Sequence, residues 1–287
     1  MSVSGERDVW VDVMGSSMAA VDAGRGEAVL LGHSYLWDAE MWRPQIDLMS
    51  RQYRVIAPDL WGHGSSGALP RGTEDLSDLA RHHLMLVDRL GIERFAVVGL
   101  SLGGMWGVEL ACLAPERVTA LALLDTFVGP EPAASRERYL AMFTAIEAAD
   151  KIPEAILDAV VLLFFSAGVQ ATAPELPAKF RLALAAWDRE RLVGSVLPLG
   201  RLFLHRRDAI ADLRKLAMPA LVMTGAEDIP RPPQEGRQMA DALGCRFVEL
   251  PGAGHISTLE APEAVAEHLL AFLAEALAGK PASTQLS

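Results

Sequence analysis

Three residue types, far apart in the chain, have the chemistry of a hydroxyl nucleophile, a base to activate it and an acid to orient the base. The nucleophile is Ser101, in Gly99-Leu-Ser-Leu-Gly103. An apolar, β-branched run from Phe95 precedes it, and a helical pattern from Gly104 to Ala114 follows. That order is strand, tight turn, helix, with the serine at the apex. Small neighbours at 99 and 103 leave room for the strained backbone such a turn needs, and the hydroxyl is pushed up at the carboxyl edge of the sheet. The amide of Leu102, first in the helix, points at the same space, where helix-start donors favour negative charge.

A serine hydroxyl is a poor nucleophile near neutral pH and needs a base, which in turn needs an orienting acid. Of the seven histidines, His82 and His83 fall mid-helix and His268 in the last helix, as surface or packing residues, while His205 sits beside Arg206 and Arg207 in a solvated basic cluster. His33 and His63 lie in loops at strand ends, near enough to a site to line it. His255 follows the last strand in Pro251-Gly-Ala-Gly-His255 and is the base of choice. The acid is Asp228 in Thr224-Gly-Ala-Glu-Asp228, with neighbouring Glu227 and the more distant Asp125 as alternatives. Locally Asp228 reads equally well as a helix cap, and the chain order Ser…Asp…His favours catalysis.

The elements that must position these groups alternate. Val9–Val13 and Met18–Val21 predict an edge hairpin. Ala28–Leu31, Arg54–Ala57, Phe95 onward, Val118–Leu124, Pro219–Thr224 and Cys245–Leu250 predict buried strands. Between them fall helical patterns over Met41–Ser50, Asp75–Leu90 (ended by Gly91), Gln234–Leu243 and Glu263–Leu277. Strands alternating with helices give an α/β fold, a mostly parallel sheet covered on both faces. From Gly129 to about Leu216 the rhythm breaks into proline-punctuated helices, so a helical insert interrupts one sheet domain. The insert is apolar, with Phe143, Ile146, Ile156, Val160, Leu163, Phe164, Phe165, Phe180, Trp187 and Leu197.

Composition narrows the function. A chain of 287 residues with a formal charge of −11 lacks the basic surface that nucleic acid requires. No apolar run approaches the ~20 residues of a membrane span, and Met1–Asp8 has neither the basic start nor the apolar core of a secretory signal. Cys112 and Cys245 read as small buried hydrophobes in a reducing compartment, so a cytoplasmic protein acting on a small molecule is expected. No cofactor is called for. Metal chemistry is disfavoured because His63 is followed by Gly64-Ser65 rather than a second histidine ligand. Lys280–Ser287 reads as a frayed tail.

Along nearly its whole length the sequence resembles the α/β-hydrolase family. The matching stretches are Gly32-His-Ser34 with Trp42, Pro58-Asp-Leu-Trp-Gly-His-Gly-Ser-Ser66, Gly99-Leu-Ser-Leu-Gly103, Gly225-Ala-Glu-Asp228 and Gly252-Ala-Gly-His255. The resemblance implies an eight-stranded sheet of residues 1–128 and 217–287, with 129–216 as a helical cap. It implies Ser101, Asp228 and His255 as the catalytic triad, and an oxyanion hole from the backbone amides of Leu102 and Tyr35. The loop His33–Trp42 resembles small bacterial aryl esterases with perhydrolase side activity, with Ser34 where those usually carry glycine. The elbow, with Leu90-Gly-Ile-Glu-Arg94 before it and Ala114-Pro-Glu-Arg-Val118 after it, resembles 3-oxoadipate enol-lactonases. The expectation is a serine hydrolase cleaving a small, largely apolar carboxylic ester through an acyl-enzyme. The apolar insert, with His33, Ser34, Trp37, Trp61, Phe127 and Phe164, is expected to line the pocket, and Trp106 to lie nearby. Hydrolysis of an enol-lactone or of a carbon–carbon bond would use the same triad. A catalytically silent ligand-binding protein of the same fold, tested by a Ser101→Ala control, is the rival from another class, and a pure interaction module has less support.

Overall fold

The computed structural model describes residues 6–278; the 280–287 tail lies outside the described residues. Eight strands form one sheet: β1 (Arg7–Val13), β2 (Ser16–Gly24), β3 (Ala28–Gly32), β4 (Arg54–Pro58), β5 (Phe95–Leu100), β6 (Val118–Leu124), β7 (Ala220–Gly225) and β8 (Arg246–Leu250). Their order is β1-β2-β4-β3-β5-β6-β7-β8. The first two strands are the expected antiparallel edge hairpin, turned through Met14 and Gly15 at φ 57° and 78°, the doubly left-handed pair that suits strand twist. β2 meets β4 antiparallel, and every later pairing is parallel.

β3, β5 and β6 are buried along their whole length. Their unbroken apolar runs are the consequence of helices on both faces. One of these helices, Leu102–Leu113, is apolar nearly all round because it is enclosed by the sheet and the helix Leu76–Arg89. The latter starts on a side-chain cap, Asp75 accepting from the Asp78 amide at 2.9 Å. The helical stretch over Met41–Ser50 differs from its sequence pattern. A 3₁₀ turn (Ala39–Trp42) comes first and the α-helix begins at Arg43, because Pro44 has no amide to donate and is tolerated only in a first turn.

Between β6 and β7 lies the helical insert, with no strand among its described residues. Its main helices are Ala133–Ala149, Glu154–Phe164, Glu175–Ala185 and Leu197–Leu204. Pro132, Pro153 and Pro174 sit immediately before helices and Pro198 in a first turn, so these prolines punctuate rather than break. The parallel order places the loops after β3, β5, β6, β7 and β8 along one edge of the sheet, the usual place for a site in such a fold.

Candidate active site

Ser101 occupies the turn between β5 and the helix Leu102–Leu113, at φ 55° and ψ −117°. A non-glycine residue there carries strain on the order of 1–3 kcal/mol and persists only where its surroundings enforce it. Here they do. A Cβ at Gly103 would lie 2.1 Å from the carbonyl oxygen of Gly32, and one at Gly99 2.4 Å from the Gly103 backbone. β3, β5 and the helix start therefore meet backbone to backbone. The Ser101 carbonyl is held from below by the amides of Gly104 and Met105 and by the Thr126 hydroxyl, which donates at 2.6 Å.

The three side chains selected from the sequence converge on this turn. His255 Nε2 lies 3.0 Å from Ser101 Oγ, and its Nδ1 lies 2.9 and 3.1 Å from the two carboxylate oxygens of Asp228. All are buried, His255 to 2% exposure and Asp228 to 4%. Burial pushes the His255 imidazole down to about 4, so near neutral pH it is uncharged. With Nδ1–H donating to Asp228, Nε2 presents a lone pair to the serine hydroxyl. Burial raises the Asp228 carboxyl, and the Arg231 amide (donating at 2.9 Å) and guanidinium oppose that rise. Thus Asp228 both caps the 228–231 turn and contacts the imidazole. Of the alternatives, Glu227 is exposed, and Asp125 spends its carboxylate on the Gly225 amide and the Ser257 hydroxyl.

Among the described residues the backbone amides of Leu102, next to Ser101, and of Tyr35, which lines the same cavity as Ser101, have no protein acceptor. The loop carrying Tyr35 is fixed by two histidines that sequence reasoning places near the site, His33 as a pocket residue and His63 with no role. His33 accepts from the Leu60 amide at Nε2 (2.7 Å) and donates from Nδ1 to the Ser34 carbonyl. His63 accepts from the Leu36 amide at Nε2 (3.2 Å) and donates to the Trp61 carbonyl. Each uses one nitrogen as donor and one as acceptor, so both must be neutral; burial depresses both, His63 to about 4. Ser34, where a glycine is usual, keeps a negative φ, and the left-handed residue of the loop is Leu36 at 69°. No glycine is needed at 34.

A cavity of about 90 Å³, open to the centre of a water-sized sphere, lies above Ser101 and His255. From the insert, Phe143, Ile146, Ile156, Val160, Leu163, Phe164 and Leu197 line it, whereas Phe165, Phe180 and Trp187 do not. Of the six pocket residues named from sequence outside or within the insert, only Phe164 lines it, its ring 5.0 Å from that of His255. His33 and Ser34 face the loop's own scaffold. Trp37 stacks on Phe180 at 4.7 Å, Trp61 donates to His82 Nδ1, and Phe127 folds against Gly129. Trp106, expected nearby, stacks on His83 beneath the elbow. Each of these rings packs on a buried neighbour, and none of the four is among the residues lining the cavity.

Arg206 also departs from its sequence reading. It is not solvated but buried, sharing Glu131 with Arg231, while only Arg207 and His205 of that cluster reach the surface. Arg231 lines the cavity as well. Nothing in the sequence pairs Glu131 with arginines 75 and 100 residues later, so this network has no local signature. The insert is bonded to the base loop: Phe164 accepts from the His255 amide at 3.0 Å, and Glu260 accepts from the amides of Ser166 and Ile256. Among the described residues no group of His, Cys, Asp and Glu could hold a metal, and no helix is long and apolar enough to cross a membrane.

The geometry can be set beside known proteins. A family model described as the alpha/beta hydrolase fold matches residues 27–262. A protein of Pseudomonas syringae pv. syringae (strain B728a), provisionally named carbamate hydrolase RutD, is 29% identical over 81% of this chain and 88% of its own length. A solved thermophilic esterase of Thermogutta terrifontis is 27% identical with a TM-score of 0.84, covering 94% of this chain and 99% of that one. The enol-lactonase of Burkholderia xenovorans LB400 is 30% identical with a TM-score of 0.81, covering 92% and 99%. With its eight-stranded sheet and a family match over most of its length, the chain belongs to the α/β-hydrolase fold family.

Proposed function

We propose that this hydrolase cleaves a small, largely apolar carboxylic ester through an acyl-enzyme on Ser101. The observation that carries the reading is the pair of short contacts on one imidazole, 3.0 Å to Ser101 Oγ and 2.9 Å to Asp228. In this reading His255 Nε2 takes the hydroxyl proton as Ser101 Oγ attacks the ester carbonyl. Asp228 accepts from Nδ1–H, holding the tautomer and stabilising the imidazolium. The tetrahedral oxyanion is received by the Leu102 and Tyr35 amides, each donor contributing roughly 3 kcal/mol in sites of this kind. His255 then gives its proton to the leaving alcohol and takes one from a water that attacks the acyl carbon; it returns that proton to Ser101 Oγ as the acyl–oxygen bond breaks, which releases the acid and restores the serine.

The helical insert, residues 129–216, acts as a cap on a core of residues 1–128 and 217–287. Its side chains supply the apolar wall, and its bond from Phe164 to the His255 amide couples cap and base. An apolar wall selects for hydrocarbon and against sugars or nucleotides. A lactone meets the same groups, its alcohol staying attached to the acyl-enzyme, and the similarity to an enol-lactonase supports including lactones among the substrates. The reducing-compartment reading of Cys112 and Cys245, both free thiols, supports a cytoplasmic setting. The test is hydrolysis of a short p-nitrophenyl ester, followed by a panel of aryl esters, lactones and diketone-type substrates. Turnover abolished by Ser101→Ala supports the proposal. Absence of turnover with every activated ester favours a silent ligand-binding protein.

A further inference from the structure

The three reacting groups stand on three separate loops, after β5, β7 and β8. Loops at strand ends are the mobile part of such a fold, yet catalysis needs the groups registered to a fraction of an ångström. The end of β6 runs between them. Asp125, fully buried, accepts at Oδ1 from the Gly225 amide (2.7 Å) and at Oδ2 from the Ser257 hydroxyl. Gly225 opens the loop that ends in Asp228, and Ser257 lies two residues beyond His255. The next residue, Thr126, donates its hydroxyl to the Ser101 carbonyl at 2.6 Å, with its methyl group filling the space over Gly104. Main-chain bonds complete the junction, Ser101 N to Leu124 O and Asp125 N to Met223 O.

We propose that Asp125 and Thr126 are positioning residues, a two-residue clamp that registers the nucleophile, acid and base loops against one another. The proposal rests on the reading of Ser101, Asp228 and His255 as the reacting groups. Its support is the cost of the arrangement. Asp125 sits at φ 46°, has no ion pair among the described residues, and burial holds its carboxyl well above the usual range. A strand end needs none of this for its own stability, since strained backbone and an unpaired buried carboxyl both work against folding. What the carboxyl supplies is two acceptor atoms on one rigid group, one for each of two loops, added to the links those loops make directly through the Glu227 amide on the Ala253 carbonyl and Asp228 on His255.

The test compares Ser257→Ala, Thr126→Val, Asp125→Asn and Asp125→Ala with the parent chain. The readouts are kcat, KM, the rate of Ser101 labelling by a fluorophosphonate, and the low-field NMR signal of the imidazole proton shared with Asp228. Ser257→Ala and Thr126→Val each remove one arm. They are expected to lower kcat and the labelling rate about tenfold, with KM within about twofold, and to broaden the low-field signal. Asp125→Ala removes two arms and is expected to lose about 100-fold. Asp125→Asn keeps an acceptor for Gly225 and a partner for Ser257, and is expected to recover most of that loss. If Asp125→Ala does not fold, the two single-arm variants decide. Parental kcat and an unchanged low-field signal in both overturn the clamp, as does an Asp125→Asn variant that folds like the parent yet is as inactive as the alanine. A parent that neither hydrolyses esters nor labels at Ser101 instead overturns the reading of the site itself, and the clamp with it.

Discussion

Gly103→Ala should separate folding from function through one methyl group. The added Cβ would sit 2.1 Å from the Gly32 carbonyl oxygen and 2.3 Å from its carbon, against a closest tolerable approach of 3.0 Å. Both atoms are backbone, so no rotamer change relieves the contact, and the helix start must move away from β3 by about 1 Å. Overpacking of this kind costs about 3 kcal/mol. At about 2.1 cal/mol/K of unfolding entropy per residue, the 287-residue chain should lose about 5 °C in Tm. The same movement carries the Leu102 amide and Ser101 Oγ out of register, and a 1 Å misplacement costs about 100-fold in kcat/KM. Gly107→Ala, one turn further along that helix, meets one side-chain atom, Val97 Cγ1, at 3.0 Å and no backbone, so it needs a shift of only a few tenths of an ångström and serves as the control. Differential scanning calorimetry and ester hydrolysis measured on both variants decide it. A Gly103→Ala protein with parental Tm and kcat/KM would show that the close backbone junction does not set the elbow.

Three further predictions follow from the same contacts. The base must be unprotonated to accept from Ser101, so kcat/KM falls as pH drops through the His255 pKa; because burial depresses it to about 4, the acid limb should lie below the ordinary imidazole value of 6.5, and a limb at or above 6.5 in a pH–rate profile contradicts this. Glu131→Gln removes the carboxylate that buried Arg206 and Arg231 share, leaving Arg231 its longer 3.4 Å contact with Glu235, and denaturant unfolding should register a loss of about 3–5 kcal/mol, with a loss under 1 kcal/mol as the contrary result. Phe164→Ala opens the cavity wall beside His255, so the kcat/KM ratio of long-chain to acetyl esters should rise at least fivefold on a p-nitrophenyl series; an unchanged ratio would mean that the chain does not pass Phe164.

The parts of this molecule legible in its sequence are those written in local spacing. Period-two and buried apolar runs mark the strands, and Gly99 and Gly103 around Ser101 mark the turn, because each reports the geometry of its own few residues. The candidate acid and base were also within reach, since Asp228 and His255 follow strands directly and a parallel sheet gathers strand ends on one edge. Side-chain direction was not legible. Trp37, Trp61 and Phe127 look like pocket residues by type and loop position, but they pack on Phe180, His82 and Gly129, each distant or unremarkable in sequence, and do not line the cavity. Arg206 reads as solvated because Glu131 is 75 residues away. His33 and His63 carry a signal of place, and for His33 of a pocket role, but not of the bridging role they have, since a histidine bridging two loops by its two nitrogens is visible only when both loops are. The junction of Asp125 with Ser257 spans 132 residues and has no pattern at all in the chain.

The central claim is that Ser101 is the nucleophile and His255 makes it one. It is tested most directly by treating the protein with a fluorophosphonate and locating the adduct by mass spectrometry. One adduct per chain is predicted, on the peptide carrying Ser101, formed slowly or not at all in His255→Ala and absent in Ser101→Ala. An adduct on another residue, or esterase activity that survives in an unlabelled Ser101→Ala protein, would contradict the account.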